Sequence, residues 1–573
     1  MPMPRALGSA IAAIAVAVPL LSGCGSDDDS PEIRDTSYGR IEGVDSAFAS
    51  GTWYWKGVPF AKPPVGELRW RAPVPPERWT GTRAAKEFGP ACAQNGRIYG
   101  PGANNRYDDS IAATLGTPVG SEDCLTLNIW RPASQVAKLP VIVFVHGGSN
   151  VSGYTADPVY DGANLAKAAN AVVVTVNYRL DVFGFFNLPQ LKEGSDPQAD
   201  SGNFALLDIL QALRFVQGEI AAFGGDPGKV TLMGQSAGAI DTWALVASPL
   251  SEGLFHRAVP ISGGISLASN LPAGSIPTLN PASVYLDQAK LLLQHLVVED
   301  GLAADLDGAA SYVAGLSNQQ VAAYLRGKPA AEILGTVLAK GLGGSGPIPD
   351  GTVLPTDPIA AISAGAYRKV PILAGNTRDE GKLFAPFLAL SPALGGVSGY
   401  IVDDATRFRM MAGFVPDAPT SLTAAAVIHP SYLPVDTPET GFDARTALLG
   451  EIFMGASRDS VLDAVRSRQS NVWHYQFDWA AEPAPWSEIY GAAHAFDLGF
   501  LFGNFGPSLF SNAIGGTANR AGRLALSEAM MKSLGAFAHT GNPNHAALGV
   551  DWPAWPAQLR FDATPGDRVI TVQ

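Results

Sequence analysis

Charge, cysteine and long apolar runs are all scarce in this sequence. Only 16% of its 573 residues are charged, and the formal net charge of −13 comes with no lysine or arginine cluster. A chain without a basic patch lacks the electrostatic footprint of a nucleic-acid binder, so a nucleic-acid partner is excluded; acidity by itself names no substrate. The apolar run at the start, from about Ala10 to Leu21, is too short to cross a bilayer as a helix. Cysteine occurs three times, at Cys24, Cys92 and Cys124, so each position carries information. Abundant instead are apolar residues (47%), glycine (63) and proline (44), the composition of one large globular domain, or two, with a sizeable core and many turns.

The first segment, "MPMPRALGSAIAAIAVAVPLLSGCG", has one cation at Arg5, then the short apolar run, then small residues, which is the pattern of a secretory signal. Its end, "LSGC", resembles the lipobox of bacterial lipoproteins, in which the cysteine is lipidated and becomes the mature N-terminus. The expected organisation is therefore a signal over 1–23, a polar tether over 24–35 ("GSDDDSPEIRD" lacks any apolar period), and one domain over 36–573. Cys24 would hold the exported protein on a membrane; an ordinary cleaved signal, giving a secreted protein, is the alternative. Export also makes Cys92 and Cys124 informative. A disulfide between them would close a Gly/Asn/Asp-rich stretch with little to pack, stabilising it by roughly 3 to 4 kcal/mol.

Short runs rich in valine and isoleucine punctuate the body: 139–148, 170–179, 229–234, 369–376 and 471–477. They read as buried strands of a largely parallel sheet. Between them, 204–223 repeats apolar residues at helical spacing, and "FGGDPGKV" supplies a break before the next strand. This rhythm predicts an α/β fold, a large mostly parallel sheet flanked by helices. Segments 265–365 and 385–470 read as helical insertions, and no linker marks a second domain.

"VTLMGQSAGAID" (230–241) sets Ser236 between glycines at a strand-to-helix corner. Small neighbours, Gly234, Ala237 and Gly238, let the chain turn closely enough to expose the serine hydroxyl above the strand ends, with the Ala237 N–H at the helix start facing whatever the serine attacks. A nucleophilic serine needs a base, an acid and oxyanion donors. "VFVHGGSN" offers free backbone N–H groups at Gly147, Gly148 and Ser149 after a strand. Past Ser236 the candidate bases are His429, His474, His494, His539 and His545. His474 lies in a strand-like run and His539 and His545 suit the surface, whereas His494, among small residues after a strand and a Pro-rich loop, is the best placed. Asp379 and Glu380 follow the strand "VPIL" at its carboxyl end, and local physics leaves both open as the acid.

From about Tyr38 to Pro556 the sequence resembles the type-B carboxylesterases of the carboxylesterase/cholinesterase family of α/β-hydrolases. "GVPFAKPPVGELRWRAP", "SEDCLTLNIW", "NYRLDVFGF", "FGGDPGKVTLMGQSAG", "FAHTGNPN" and "WPAW" match its motifs in order. The resemblance implies Ser236 as nucleophile, Glu380 as acid and His494 as base. It further implies a Cys92–Cys124 disulfide, and Arg69–Glu122 and Arg179–Asp226 as scaffold ion pairs. Ser149 stands where the family has a third oxyanion-loop glycine, and Asn150 where an aromatic is frequent. Since a backbone N–H survives the change, Gly148, Ser149 and Ala237 are the expected donors.

The implied activity is a serine carboxylesterase working through an acyl-enzyme, with no metal or cofactor. Other acyl hydrolases (lipase, amidase, lactonase) would use the same residues, and a non-catalytic binding protein on this fold is a further alternative. Between Cys92 and Cys124 there is no tryptophan, only Tyr99 and Tyr107, and the neutral Gln235 precedes the nucleophile where the cholinesterase branch has a glutamate. Both departures disfavour choline esters and point to neutral esters with short to medium acyl chains.

Overall fold

A computed structural model describes residue 1, residues 30–342 and residues 346–573. Cys24 and the segment read as a signal lie outside the described residues.

Eleven strands form the main sheet: β1 (Val44–Ser46), β2 (Thr52–Pro59), β3 (Thr126–Pro132), β4 (Leu139–Val145), β5 (Val172–Val176), β6 (Gly225–Gln235), β7 (Arg257–Ile261), β8 (Ile372–Thr377), β9 (Val472–Phe477), β10 (Leu559–Ala563) and β11 (Arg568–Val572). Their spatial order is β11-β10-β9-β8-β7-β6-β4-β5-β3-β2-β1. From β10 across to β5 every neighbouring pair is parallel. The remaining pairs, at the two edges, are antiparallel. Every residue of β4 and β5 is buried, because helices cover both faces of the sheet. Along β4 the side chains alternate between two cores: Val141, Val143 and Val145 on one face, Ile142 and Phe144 on the other.

The predicted helix over 204–223 is α1 (Phe204–Glu219), followed by a tighter turn over Ile220–Phe223 that ends at Gly224 in the left-handed region. The 265–365 insertion contains helices at Ala282–Glu299, Leu306–Ala314, Asn318–Gly327 and Ala330–Ala339, which share a small core with Trp70 and Phe183. Cys92 and Cys124 are joined as a disulfide and buried in the sheet's own core.

Two expectations need correction. Residues Ile33–Thr36, placed within or just after the tether, form a strand against Gly39–Glu42, and the Arg34 guanidinium lies over the rings of Trp53 and Trp55. Backbone pairing and a cation over aromatics hold this stretch, neither of which needs an apolar period. The second concerns Arg179, which does not pair with Asp226. Its Nε and Nη2 donate to both oxygens of Asp208 on α1 at 2.8 and 2.6 Å, and its backbone N–H donates to the same carboxylate at 3.1 Å. Asp226 sits at the more exposed start of β6, near Lys229 at 3.5 Å, and accepts from the Gly228 N–H. A buried guanidinium takes the carboxylate that shares its dry environment. Arg69 and Glu122 do pair as expected, with both contacts at 2.6 Å or less.

Candidate active site

Every candidate catalytic residue follows the carboxyl end of a parallel strand. Ser236 stands between the end of β6 and the start of α2 (Ala237–Ala247), the glycine loop follows β4, Glu380 follows β8, and His494 lies in the loop after β9. Open α/β sheets collect their ligand sites along this edge.

Ser236 has φ 57° and ψ −122°, a strained conformation for a residue with a side chain, worth roughly 1–3 kcal/mol, which the tight corner enforces. A Cβ at Gly234 would overlap the Gly238 carbonyl, and one at Gly238 would overlap the Val145 carbonyl, so the corner admits no larger residue at either position. The Ser236 hydroxyl makes no hydrogen bond to protein among the described residues.

In the glycine loop, Gly148, Ser149 and Asn150 all have positive φ, at 113°, 58° and 58°. The Gly148 carbonyl accepts from the N–H groups of Val151 and Ser152 at 3.1 Å, and a trans peptide then turns the Ser149 N–H the opposite way. Among the described residues the N–H groups of Gly148, Ser149 and Ala237 have no protein acceptor. Asn150, buried behind the loop, donates to Asp241 Oδ1 at 3.1 Å, and its Oδ1 lies 3.1 Å from the Tyr178 hydroxyl. Burial pushes the Asp241 carboxyl up to about 8. It likewise pushes the neighbouring His146 imidazole down to about 4.

His494 Nδ1 donates to Glu380 Oε2 at 2.5 Å. The other carboxylate oxygen, Oε1, accepts from the Thr377 N–H at 2.9 Å and from Asn376 Nδ2 at 3.1 Å. Burial opposes the Glu380 charge, but the adjoining imidazole, the nearby Ser262 hydroxyl and the Thr377 N–H outweigh it and hold the carboxyl below its ordinary range. Asp379 does not reach the imidazole. It pairs with Arg378 at 2.8 Å and accepts from the Ala492 N–H at 3.0 Å, pinning the loop that carries His494. His474 is fully buried, 3.2 Å from Asn376 Oδ1, one step behind the acid rather than at the site.

Ser236, His494, Gly147, Gly148 and Ser149 line one cavity of about 440 Å³ with Tyr99, Tyr160, Phe384 and Phe510. Phe384 stands 4.8 Å from the imidazole, and Phe510 stacks on Tyr99 at 5.7 Å. A larger vestibule of about 1560 Å³ meets this cavity at Ser149. His429, His539 and His545 line neither.

Asn376, Asp241, Phe384 and Phe510 escape sequence reasoning, as does the contact of Asn150 with Asp241. Asn376 alone carries a signal, a polar side chain closing an otherwise apolar strand. The neutrality of Gln235 is plain in the sequence but its contact is not: its Nε2 lies 3.0 Å from His494 Nε2.

The sequence matches the carboxylesterase family over residues 30–562. It is 32% identical to para-nitrobenzyl esterase of Bacillus subtilis (strain 168) over 533 residues, 92% of this chain and 94% of that protein. It is 33% identical to fumonisin B1 esterase of Sphingopyxis macrogoltabida over 544 residues, 94% of this chain and 87% of that one. A solved PNB esterase structure superposes with a TM-score of 0.68 at 28% identity, covering 95% of this chain and 97% of the other. The Geobacillus stearothermophilus carboxylesterase EST55 gives 0.67 at 29% identity, covering 95% and 98%.

Proposed function

The chain belongs to the carboxylesterase family, a carboxylic ester hydrolase on the α/β-hydrolase fold, and from that premise we propose that it cleaves neutral esters through an acyl-enzyme on Ser236. His494 takes the Ser236 proton as the hydroxyl attacks the ester carbonyl. Glu380 keeps the other imidazole proton on Nδ1, and the N–H groups of Gly148, Ser149 and Ala237 stabilise the oxyanion. The proton passes to the departing alkoxide, and water activated by the same imidazole releases the acid. The observation that carries this reading is the 2.5 Å Glu380–His494 hydrogen bond inside the cavity that Ser236 lines.

Two features favour neutral substrates. Among the described residues lining the cavity none is acidic, and one face of the Tyr99 ring is covered by Phe510. A cationic alcohol group would find little compensation for losing its water. We also propose that the protein is exported and carries a lipid on Cys24, a reading supported by "LSGC" and by a disulfide suited to an oxidising compartment.

A fluorophosphonate probe tests the mechanism. It should label one site per chain, on the peptide bearing Ser236, and stop p-nitrophenol release from short p-nitrophenyl esters at equivalence. Ser236→Ala should neither label nor turn over while keeping the native circular dichroism spectrum. Labelling elsewhere, or hydrolysis by the variant at the normal rate, overturns the mechanism. For the substrate class, 3,3-dimethylbutyl butyrate should be cleaved with higher kcat/KM than its isostere butyrylcholine; the reverse order refutes that part.

A further inference from the structure

We propose that Gln235 is a positioning residue that holds the acceptor nitrogen of the base in the substrate-free enzyme and yields it to Ser236 during turnover. This rests on His494 being the base. Gln235 closes β6 immediately before the proposed nucleophile, and the residue is 2% exposed. With Nδ1–H committed to Glu380, the only lone pair of the neutral imidazole is on Nε2, and the Gln235 amide nitrogen lies 3.0 Å from it. Of the two ends of the amide, only the NH₂ has protons to donate to that lone pair, which fixes the orientation of the amide.

Ser236 Oγ makes no hydrogen bond to His494 in this state, so hydroxyl and amide compete for one lone pair. The other titratable groups facing the imidazole are Glu380 at Nδ1 and Asp497, whose carboxyl accepts from Tyr475 at 2.8 Å. Tyr99 and Tyr160 lie across the cavity. None of these reaches Nε2.

A donor on Nε2 favours the neutral imidazole over the imidazolium, whose own Nε2–H would oppose the amide NH₂. When His494 takes the Ser236 proton, its new Nε2–H opposes the amide NH₂, which turns aside and leaves Nε2 to Ser236 and then to the departing alkoxide.

The readout is the acid limb of kcat/KM against pH for a neutral p-nitrophenyl ester. Gln235→Met, close in shape but without the donor, should move that limb up by about half a pH unit to one. Gln235→Asn keeps an amide one methylene too short and should move it equally. Gln235→Glu should raise it further, by roughly one to three units, because a carboxylate stabilises the imidazolium. In the unliganded proteins, the strongly deshielded proton shared by Nδ1 and Glu380 should titrate in the same order by NMR, so a slow variant still reports. Met and Asn variants with the wild-type acid limb overturn the proposal. A shift confined to the Glu variant also overturns it, since that reports only the field of a charge. Failure of the esterase mechanism itself would appear separately, as absence of probe labelling at Ser236 in the wild type.

Discussion

Replacing Glu380 by glutamine exchanges one oxygen for an NH₂ group and leaves volume and shape nearly unchanged, yet the surrounding donors make it severe. Oε2 accepts from His494 Nδ1–H at 2.5 Å, while Oε1 accepts from the Thr377 N–H at 2.9 Å and Asn376 Nδ2 at 3.1 Å; the nearby Ser262 hydroxyl can donate or accept and so favours neither end of an amide. An amide has one acceptor end. If its oxygen turns to His494, the NH₂ opposes two donors, one of them a backbone group that cannot rotate away. If it turns to Thr377 and Asn376, the NH₂ faces Nδ1, which must then become the acceptor. The second arrangement leaves fewer buried groups unpaired and wins. It puts the imidazole proton on Nε2, so the lone pair that should receive the Ser236 proton is gone.

A wrong tautomer of this kind costs about 10⁴ in kcat where it has been measured in a serine triad, equivalent to roughly 5.5 kcal/mol of transition-state stabilisation. Glu380→Gln should therefore lose about three to four orders of magnitude in kcat on p-nitrophenyl butyrate while its thermal midpoint stays close to wild type. Asp379→Asn should stay within about tenfold. Its amide oxygen still accepts from the Ala492 N–H, and the Arg378 pair it gives up is partly exposed. The reasoning is refuted if Glu380→Gln keeps more than a tenth of wild-type kcat, or if Asp379→Asn is the more damaging substitution.

Asp208→Asn should destabilise the fold by about 3–5 kcal/mol in denaturant titration, because it leaves the Arg179 guanidinium buried without its charge partner. Asp226→Asn should cost under about 1 kcal/mol, since Asp226 and Lys229 are solvated; equal costs would contradict the pairing. The Asp241 carboxyl, held up at about 8 against about 3.9 in an unfolded chain, keeps its proton in the fold over a range where the unfolded chain has lost it. Stability therefore falls as pH rises between those values, by up to about 1.4 kcal/mol per unit. Asp241→Asn cannot titrate, so its melting temperature should improve relative to wild type from pH 5 to pH 8; a constant difference would show that Asp241 is already ionised in the fold. Cys24→Ser should shift the protein expressed in a bacterium out of the membrane fraction or block its maturation, and an unlipidated, wholly soluble wild type would refute the anchor.

What could be read from the sequence, and what could not, divides along the range of the interactions. β4 and β5 announce themselves because helices cover both faces, so nearly every residue must be apolar. β2 and β10, each one in from a sheet edge, carry no such mark, since "TWYWKGVP" and "LRFDA" mix rings and charges to suit one covered face and one partly wet one. The corner at Ser236 is legible because steric closeness demands glycine, a local requirement written in adjacent letters. Pairings across the fold leave no such trace. The position of Asp226 in a familiar motif suggested Arg179 as its partner, but the guanidinium's choice depends on which carboxylate lies in the same dry layer, and α1 supplies Asp208 there. The same holds for the acid: Asp379 and Glu380 are adjacent and chemically alike, and only the short turn after β8 sends one carboxylate to the imidazole and the other to the backbone of Ala492. Local sequence can thus specify where a reactive group stands, while the identity of its partners follows from which side chains the sheet edge brings into one cavity. Gln235 lies where the two kinds of information meet: adjacent in sequence to Ser236, the proposed nucleophile, it contacts His494, the proposed base, 259 residues further along the chain.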